Sequence, residues 1–196
     1  MDKFRLEAPT AERQNDAIDY INEFYAYNSN VNGACGLNRY LNDYTGWLTK
    51  LEKSAEATVT EERVPARTFF LVRSSDSRIV GMINIRLALN DNLKKYGGNI
   101  GYSIRPTERG KGYNKINLYM ALKVCWSHGI KKVLLDADSD NPASWRTMEA
   151  LGGVKIREYF ESEHDFCMVR DYEIDVDKSI AEHSDQYEHL VERIDD

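Results

Sequence analysis

Cysteine is scarce in this chain of 196 residues: Cys35, Cys125 and Cys167 are odd in number, far apart and outside any metal-ligand spacing. That pattern supports neither a disulfide framework nor a zinc site and leaves three small buried or half-buried thiols. Nowhere do the roughly 18 consecutive apolar residues of a membrane span occur, and no basic start followed by an apolar run opens the sequence. The expectation is a cytoplasmic protein with no membrane partner. A basic stripe dense enough for nucleic acid is also missing, so nucleic acid is not an expected partner. There is no internal repeat, no low-complexity tract and no Gly-x-x-x-x-Gly-Lys-Ser/Thr phosphate loop.

What is present is enough apolar material, 42% of residues, to bury one sizeable core. The formal charge of -6 is unevenly spread. Residues 171–196 carry ten acids against Lys178 and Arg193, which leaves the first 170 residues near +2. A mildly basic body with an acidic tail is compatible with a phosphorylated ligand.

Periodicity divides the chain into alternating elements. Phe4 to Glu7 reads as a strand, Thr10 as the N-cap of a helix from Ala11 to Tyr27, residues 28–36 as loop, and Leu37 to Ala57 as a second helix. Thr68–Val72 and Arg78–Leu89 read as a hairpin around Ser74–Ser77, and Asn99–Arg105 as the next strand. Tyr113–His128 has helical spacing and is followed by Gly129, a C-terminal cap. Lys132–Ala137 is a compact apolar strand of the kind buried on both faces. Asn141 as N-cap and Pro142 at the first position open a helix to Leu151. Val154–Glu163 and Phe166–Ile174 form a last strand pair, and Asp177–Ile194 reads as an acidic helical extension, residues 176–196, beyond a single domain of residues 1–175.

The segment Arg109-Gly110-Lys111-Gly112-Tyr113-Asn114 lies between a strand and a helix. A glycine loop opening a helix aims backbone N–H groups and a positive helix end at one point, which suits a pyrophosphate. The dinucleotide version of such a loop needs a third glycine where Lys115 stands, and the preceding strands read as an antiparallel meander rather than as βαβ units. Asp136 or Asp138 would be its ribose acid.

The same residues, following a strand that ends Ile104-Arg105-Pro106, resemble the Q/R-x-x-G-x-G/A signature of the GNAT superfamily of N-acetyltransferases, and the order of elements is similar to theirs. Gly101-Tyr102-Ser103-Ile104-Arg105-Pro106-Thr107-Glu108-Arg109, with Asn141-x-x-Ser144 and Gly152-Gly153 downstream, resembles an uncharacterised subgroup of predicted acetyltransferases. The resemblance implies a mixed α/β (α+β) acyl-CoA N-acyltransferase fold: a central, mostly antiparallel sheet flanked by helices and splayed between strands four and five. It implies acetyl-CoA as co-substrate, without a metal, an amine as acceptor, direct acetyl transfer in a ternary complex, and a possible homodimer. Pantetheine amides are expected on backbone groups of Tyr102, Ser103 and Ile104. The pyrophosphate is expected on Arg109, Gly110, Lys111, Gly112, Tyr113, Asn114 and Lys115, and Asn141 is expected to complete the cofactor contacts.

Catalytic groups are harder to place. A tyrosine seven residues after the helix-capping Asn donates a proton in many relatives, and here that position is Met148. The carboxylate often found on the fourth strand is absent. Tyr102, Asp138 and Ser144 are the candidates, with Asp136 beside them, while His128 fits a helix end. Glu23, Tyr25, Tyr27, Tyr40 and Tyr44 are candidates to line an acceptor pocket. A noncatalytic acyl-CoA sensor is the alternative to an enzyme.

Overall fold

The computed structural model describes residues 2–162 and 166–195. The expected strand end at Glu163 and the last acid, Asp196, lie outside the described residues. Among the described residues, eight strands form two sheets. The larger has the order β4 (Ile100–Ile104), β3 (Arg78–Arg86), β2 (Ala66–Arg73), β1 (Phe4–Glu7), β8 (Val191–Ile194), and the smaller β5 (Lys132–Asp138), β7 (Cys167–Asp175), β6 (Val154–Glu161). All pairings are antiparallel except β1 with β8.

Strands β4 and β5 are not paired. They touch only where β4 begins: the Asn99 N–H donates to the Leu134 carbonyl at 2.6 Å, and the Leu134 N–H donates to Asn99 Oδ1 at 2.9 Å. Beyond that clasp the edges part, as the resemblance implied. Ladder parity then decides which groups face the gap. The Arg105 N–H bonds Val80 and the Arg86 N–H bonds Asn99, so odd-numbered residues of β4 pair with β3. The backbone groups of Tyr102 and Ile104 therefore point toward β5.

Helices cover the large sheet on both sides. α1 (Gln14–Ala26) and α2 (Tyr44–Ala55) bury Tyr20, Ile21, Phe24 and Trp47 against Phe70, Val72, Ile79 and Met82. α4 (Tyr113–Ser127) fills the opposite face with Ile116, Leu118, Met120, Ala121 and Val124 against Leu71, Ile83, Ile85 and Ile104. The C-terminal Schellman pattern appears at its end, where Gly129 adopts φ 74° and the Ile130 N–H reaches the Cys125 carbonyl.

Several expectations change. Thr10 makes no side-chain cap, and a short 3₁₀ turn, Ala11–Arg13, precedes α1. The second helix starts at Tyr44 because Asp43 accepts the Gly46 N–H and stops anything upstream except a 3₁₀ turn at Leu37–Arg39. A five-residue helix α3, Asp91–Lys95, capped by Asn90, interrupts the run after β3. β5 buries one face only, through Val133, Leu135 and Ala137, because its other edge borders the gap.

The acidic extension is not one helix. α6 (Val176–Tyr187), capped by Asp175, leads through Glu188–Leu190 into β8, which adds to β1 in parallel. It is docked on α4: Tyr119 and Tyr187 rings lie 5.4 Å apart, and the Tyr119 hydroxyl donates to Glu188 at 2.9 Å. Repulsion along the segment is offset by Lys123 and Lys131, which pair with Glu188 and Asp177.

Candidate active site

Two helix starts, α4 and α5 (Pro142–Glu149), flank the open end of the gap. Gly110 and Gly112 adopt φ 77° and 80°, a left-handed conformation that side chains disfavour, and a Cβ built on either would meet no atom within 4 Å. The loop is therefore open on the side to which its amides point. The N–H groups of residues 110–114 have no backbone acceptor among the described residues, and the Lys115 N–H closes back onto Gly112. These are the orphan donors of a helix start, at its positive end.

The loop's own cations are largely committed to holding it in place. Arg109 donates Nε to the Ile104 carbonyl and Nη2 to Ser29 Oγ, its guanidinium 5.4 Å from the Phe24 ring centroid. The Ile104 carbonyl thus already accepts one hydrogen bond, while its N–H faces the gap. Lys111 Nζ sits 2.7 Å from Glu108. Glu108 is almost fully buried and also pairs with Arg73 at 2.8 Å. Burial pushes this carboxyl up, but hydrogen bonds from Lys111 and Arg73 outweigh burial and hold it below the ordinary carboxylate range. Its contribution to stability is thus present above the ordinary value and lost as pH falls through the lowered one. Glu108→Gln, which leaves Arg73 with Asp76 as its remaining acidic partner, is expected to cost about 1–2 kcal/mol, read as a lowered Tm that converges with wild type in acid.

Tyr113 packs edge-on against Phe4 with ring centroids 4.9 Å apart and a 60° tilt, and its hydroxyl accepts from Arg73 at 3.4 Å. Asn114 turns inward instead of toward phosphates: Nδ2 lies 3.5 Å from Thr147 Oγ1, and Oδ1 is buried without a partner. One turn on, Asn117 is fully buried with both amide atoms unpartnered.

Tyr102 spans the gap. Its hydroxyl meets Ser144 Oγ at 3.0 Å and the Ser144 carbonyl at 3.3 Å. Burial raises its pKa well above the ordinary phenol value, with Ser144 and Asn114 opposing. Ser144 thereby serves twice, its N–H on the Asn141 cap and its hydroxyl on Tyr102. Ser103 lies on the other face, its hydroxyl meeting Tyr20 at 3.0 Å and donating to the Asn32 carbonyl. Met148, at the position of the expected tyrosine, is buried core.

On the α1–α2 face, Asp136 is half-buried and accepts the Gly97 N–H at 2.7 Å. Burial, supported by the nearby Asp171, raises its pKa against the Gly97 bond and Arg86. Asp138 is exposed, with Cys167 Sγ 3.5 Å from Oδ1. A cavity of about 600 Å³ opens on this same face beside α2, lined among others by Cys35, Tyr40, Lys50, Asn84 and Arg86. Of the tyrosines expected at the acceptor pocket only Tyr40 lines it. Tyr44 donates to the Thr10 carbonyl, Tyr25 and Tyr27 are exposed, and Glu23 pairs with Arg105 and Arg78. His128 Nδ1 lies 3.0 Å from the Val124 carbonyl, as a helix end requires. No cluster of metal-binding side chains occurs among the described residues.

Known structures share this fold. Ribosomal-protein-S5-alanine acetyltransferase from Vibrio fischeri superposes with TM-score 0.69 at 14% identity, covering 90% of this chain and 95% of its own. Mycobacterium smegmatis RimJ, solved with CoA-disulfide, gives 0.68 at 12%, covering 91% and 88%. The dodecameric spermidine N-acetyltransferase from Vibrio cholerae gives 0.63 at 14%, covering 92% and 98%. At such identities the likeness is one of fold. No curated protein matches the chain by sequence. The family model described as an acetyltransferase (GNAT) domain, however, matches residues 5–154, and with the parted strands and the glycine loop this makes the chain a member of the GNAT acetyltransferase family.

Proposed function

We propose that the protein transfers the acetyl group of acetyl-CoA to a primary amine within a ternary complex. The observation that carries this reading is the gap between β4 and β5, closed by the Asn99–Leu134 clasp at one end and faced by the 110–114 amides at the other. Amides of Tyr102 and Ile104 would pair with the pantetheine arm as a neighbouring strand does, and the loop amides with the pyrophosphate.

The balance is simple: the amine nitrogen bonds the acetyl carbon, the carbon–sulfur bond breaks, the amine gives up a proton and the sulfur takes one. The Ile104 N–H is the donor assigned to the carbonyl oxygen as charge gathers there. Asp136, half-buried on the acceptor face, is assigned the proton of the incoming ammonium. Asp138, farther along the strand, shares that face but is exposed. Tyr102, protonated at neutral pH and backed by Ser144, is assigned the proton donor to sulfur, in place of the tyrosine that Met148 replaces.

The test is thiol release from acetyl-CoA across polyamines, amino acids, aminoglycosides and peptide N-termini. Release with at least one amine is expected. Binding of the thioester with silence across the panel would favour a coenzyme-sensing module instead. Tyr102→Phe is expected to lower kcat about 100-fold with little change in the KM for acetyl-CoA, measured in the same assay.

A further inference from the structure

The cavity beside α2 is walled by cations that the protein does not neutralise. Lys50, Lys53, Arg63 and Arg86 all line it, and among the described residues none of the four pairs with a carboxylate within 4 Å. Many cations elsewhere are paired, Arg73, Arg78 and Arg105 among them, and four without a carboxylate around one cavity concentrate positive charge there. Glu61 and Glu62 also line the cavity, but both are exposed at its rim, whereas Lys50 and Arg86 are half-buried. The interior is thus positive and the mouth mixed.

Those two inner cations are held with donors to spare. Lys50 Nζ donates to the Cys35 carbonyl at 2.7 Å, and Arg86 uses Nη1 alone, on the carbonyls of Gly97 and Gly98 at 2.8 Å. That leaves two donors on the ammonium and the Nε and Nη2 groups of the guanidinium without a recorded partner, the last two able to grip a carboxylate side-on. Burial depresses the Arg86 pKa, with Asp136 and Cys35 opposing, which is the condition of a cation short of solvent.

The cavity also adjoins the reaction strand. Asn84, in its wall, is the cross-strand partner of Gly101, the residue before Tyr102. Two residues before Cys35, Gly33 lies so close that a Cβ there would come within 2.5 Å of the Gly101 carbonyl oxygen. Arg86 faces Asn99 across the ladder, where β4 and β5 meet. The Gly33 backbone covers β4 at Gly101 and Tyr102, so an acceptor anchored on Lys50 and Arg86 would approach Asp136 by way of Gly97, whose carbonyl Arg86 holds and whose N–H Asp136 accepts. A volume of about 600 Å³ lies within the usual range for small-molecule sites.

Resting on the transferase reading, the geometry points to an acceptor that carries a carboxylate besides its amine: a small amino-acid-like molecule held by its acid group on Lys50 and Arg86. A polyamine, which brings only positive charge, is disfavoured here even though a spermidine acetyltransferase shares the fold.

Pairs of acceptors that differ only in the carboxylate, amino acids and their decarboxylated amines, together with spermidine, test this in the acetylation assay and, in parallel, by calorimetry on protein saturated with coenzyme A. Carboxylate-bearing acceptors are expected to win by at least about 10-fold in kcat/KM, an electrostatic discrimination of ordinary size. Lys50→Gln is expected to remove most of that preference through KM for the acceptor, with the KM for acetyl-CoA and the Tm unchanged. Arg86→Lys, which keeps the charge but not the fork, is expected to weaken it less. Preference for decarboxylated amines or spermidine, or a carboxylate preference indifferent to both substitutions, overturns the inference and leaves the transferase intact. Binding of an amino acid without turnover sustains the anionic site and overturns the transferase reading. Neither binding nor turnover overturns both.

Discussion

Gly112→Asp is expected to abolish coenzyme A binding at concentrations that saturate the wild type, a loss of at least about 100-fold in affinity. Two effects act together. The position has φ 80°, where a side chain costs about 1 kcal/mol or more of strain. A carboxylate would also project into the open space against which the loop amides and the start of α4 present positive charge, where a pyrophosphate would bring its own negative charge. Because a Cβ at 112 meets no protein atom within 4 Å, the fold should survive with a modest fall in Tm. Gly112→Ala, which brings the strain without the charge, should bind with intermediate affinity. Titration calorimetry of both variants reads the result, and an affinity unchanged in Gly112→Asp would remove the phosphate role from this loop.

Asp136→Asn is expected to lower kcat/KM by about 100-fold or more, the usual scale for a general base. It should also erase the acid limb of the pH–rate profile, which in the wild type falls above the ordinary aspartate value because burial raises this carboxyl. Stability should move the other way. A raised carboxyl contributes its stability in acid and loses it as pH rises through the raised value, so ionised Asp136 weighs against the fold at neutral pH. An asparagine can still accept the Gly97 N–H, so the variant should be at least as stable as the wild type near pH 7 and less favoured by comparison in acid. Loss of rate with loss of Tm at neutral pH would mark Asp136 as structural.

The parts legible in the sequence are those set by neighbouring residues. Glycines 110 and 112 announce a left-handed turn, the apolar spacing of Ile116, Met120 and Val124 announces α4, and Asn141-Pro142 announces α5. The parting of β4 and β5 was available only through the family resemblance, because no local signal says which strands fail to pair. The parts that were missed depend on distant partners. β8 reads as a continuation of an acidic helix until β1 is present to accept it. The contacts of Arg109 with Ser29 and the Ile104 carbonyl, 80 and 5 positions away, carry no local signal. Lys50 and Arg86, 36 positions apart, show nothing in common until α2 and β3 wall the same cavity. Asp43 is the exception: as a local cap it was readable, and it was hidden by an apolar period that ran past it.

The most direct measurement is amide hydrogen exchange with and without acetyl-CoA. The account predicts new protection at the Tyr102 and Ile104 amides and across residues 110–114, with the Arg105 amide, already bonded to Val80, little changed. Binding that protects other segments and leaves those amides exchanging as before would contradict it.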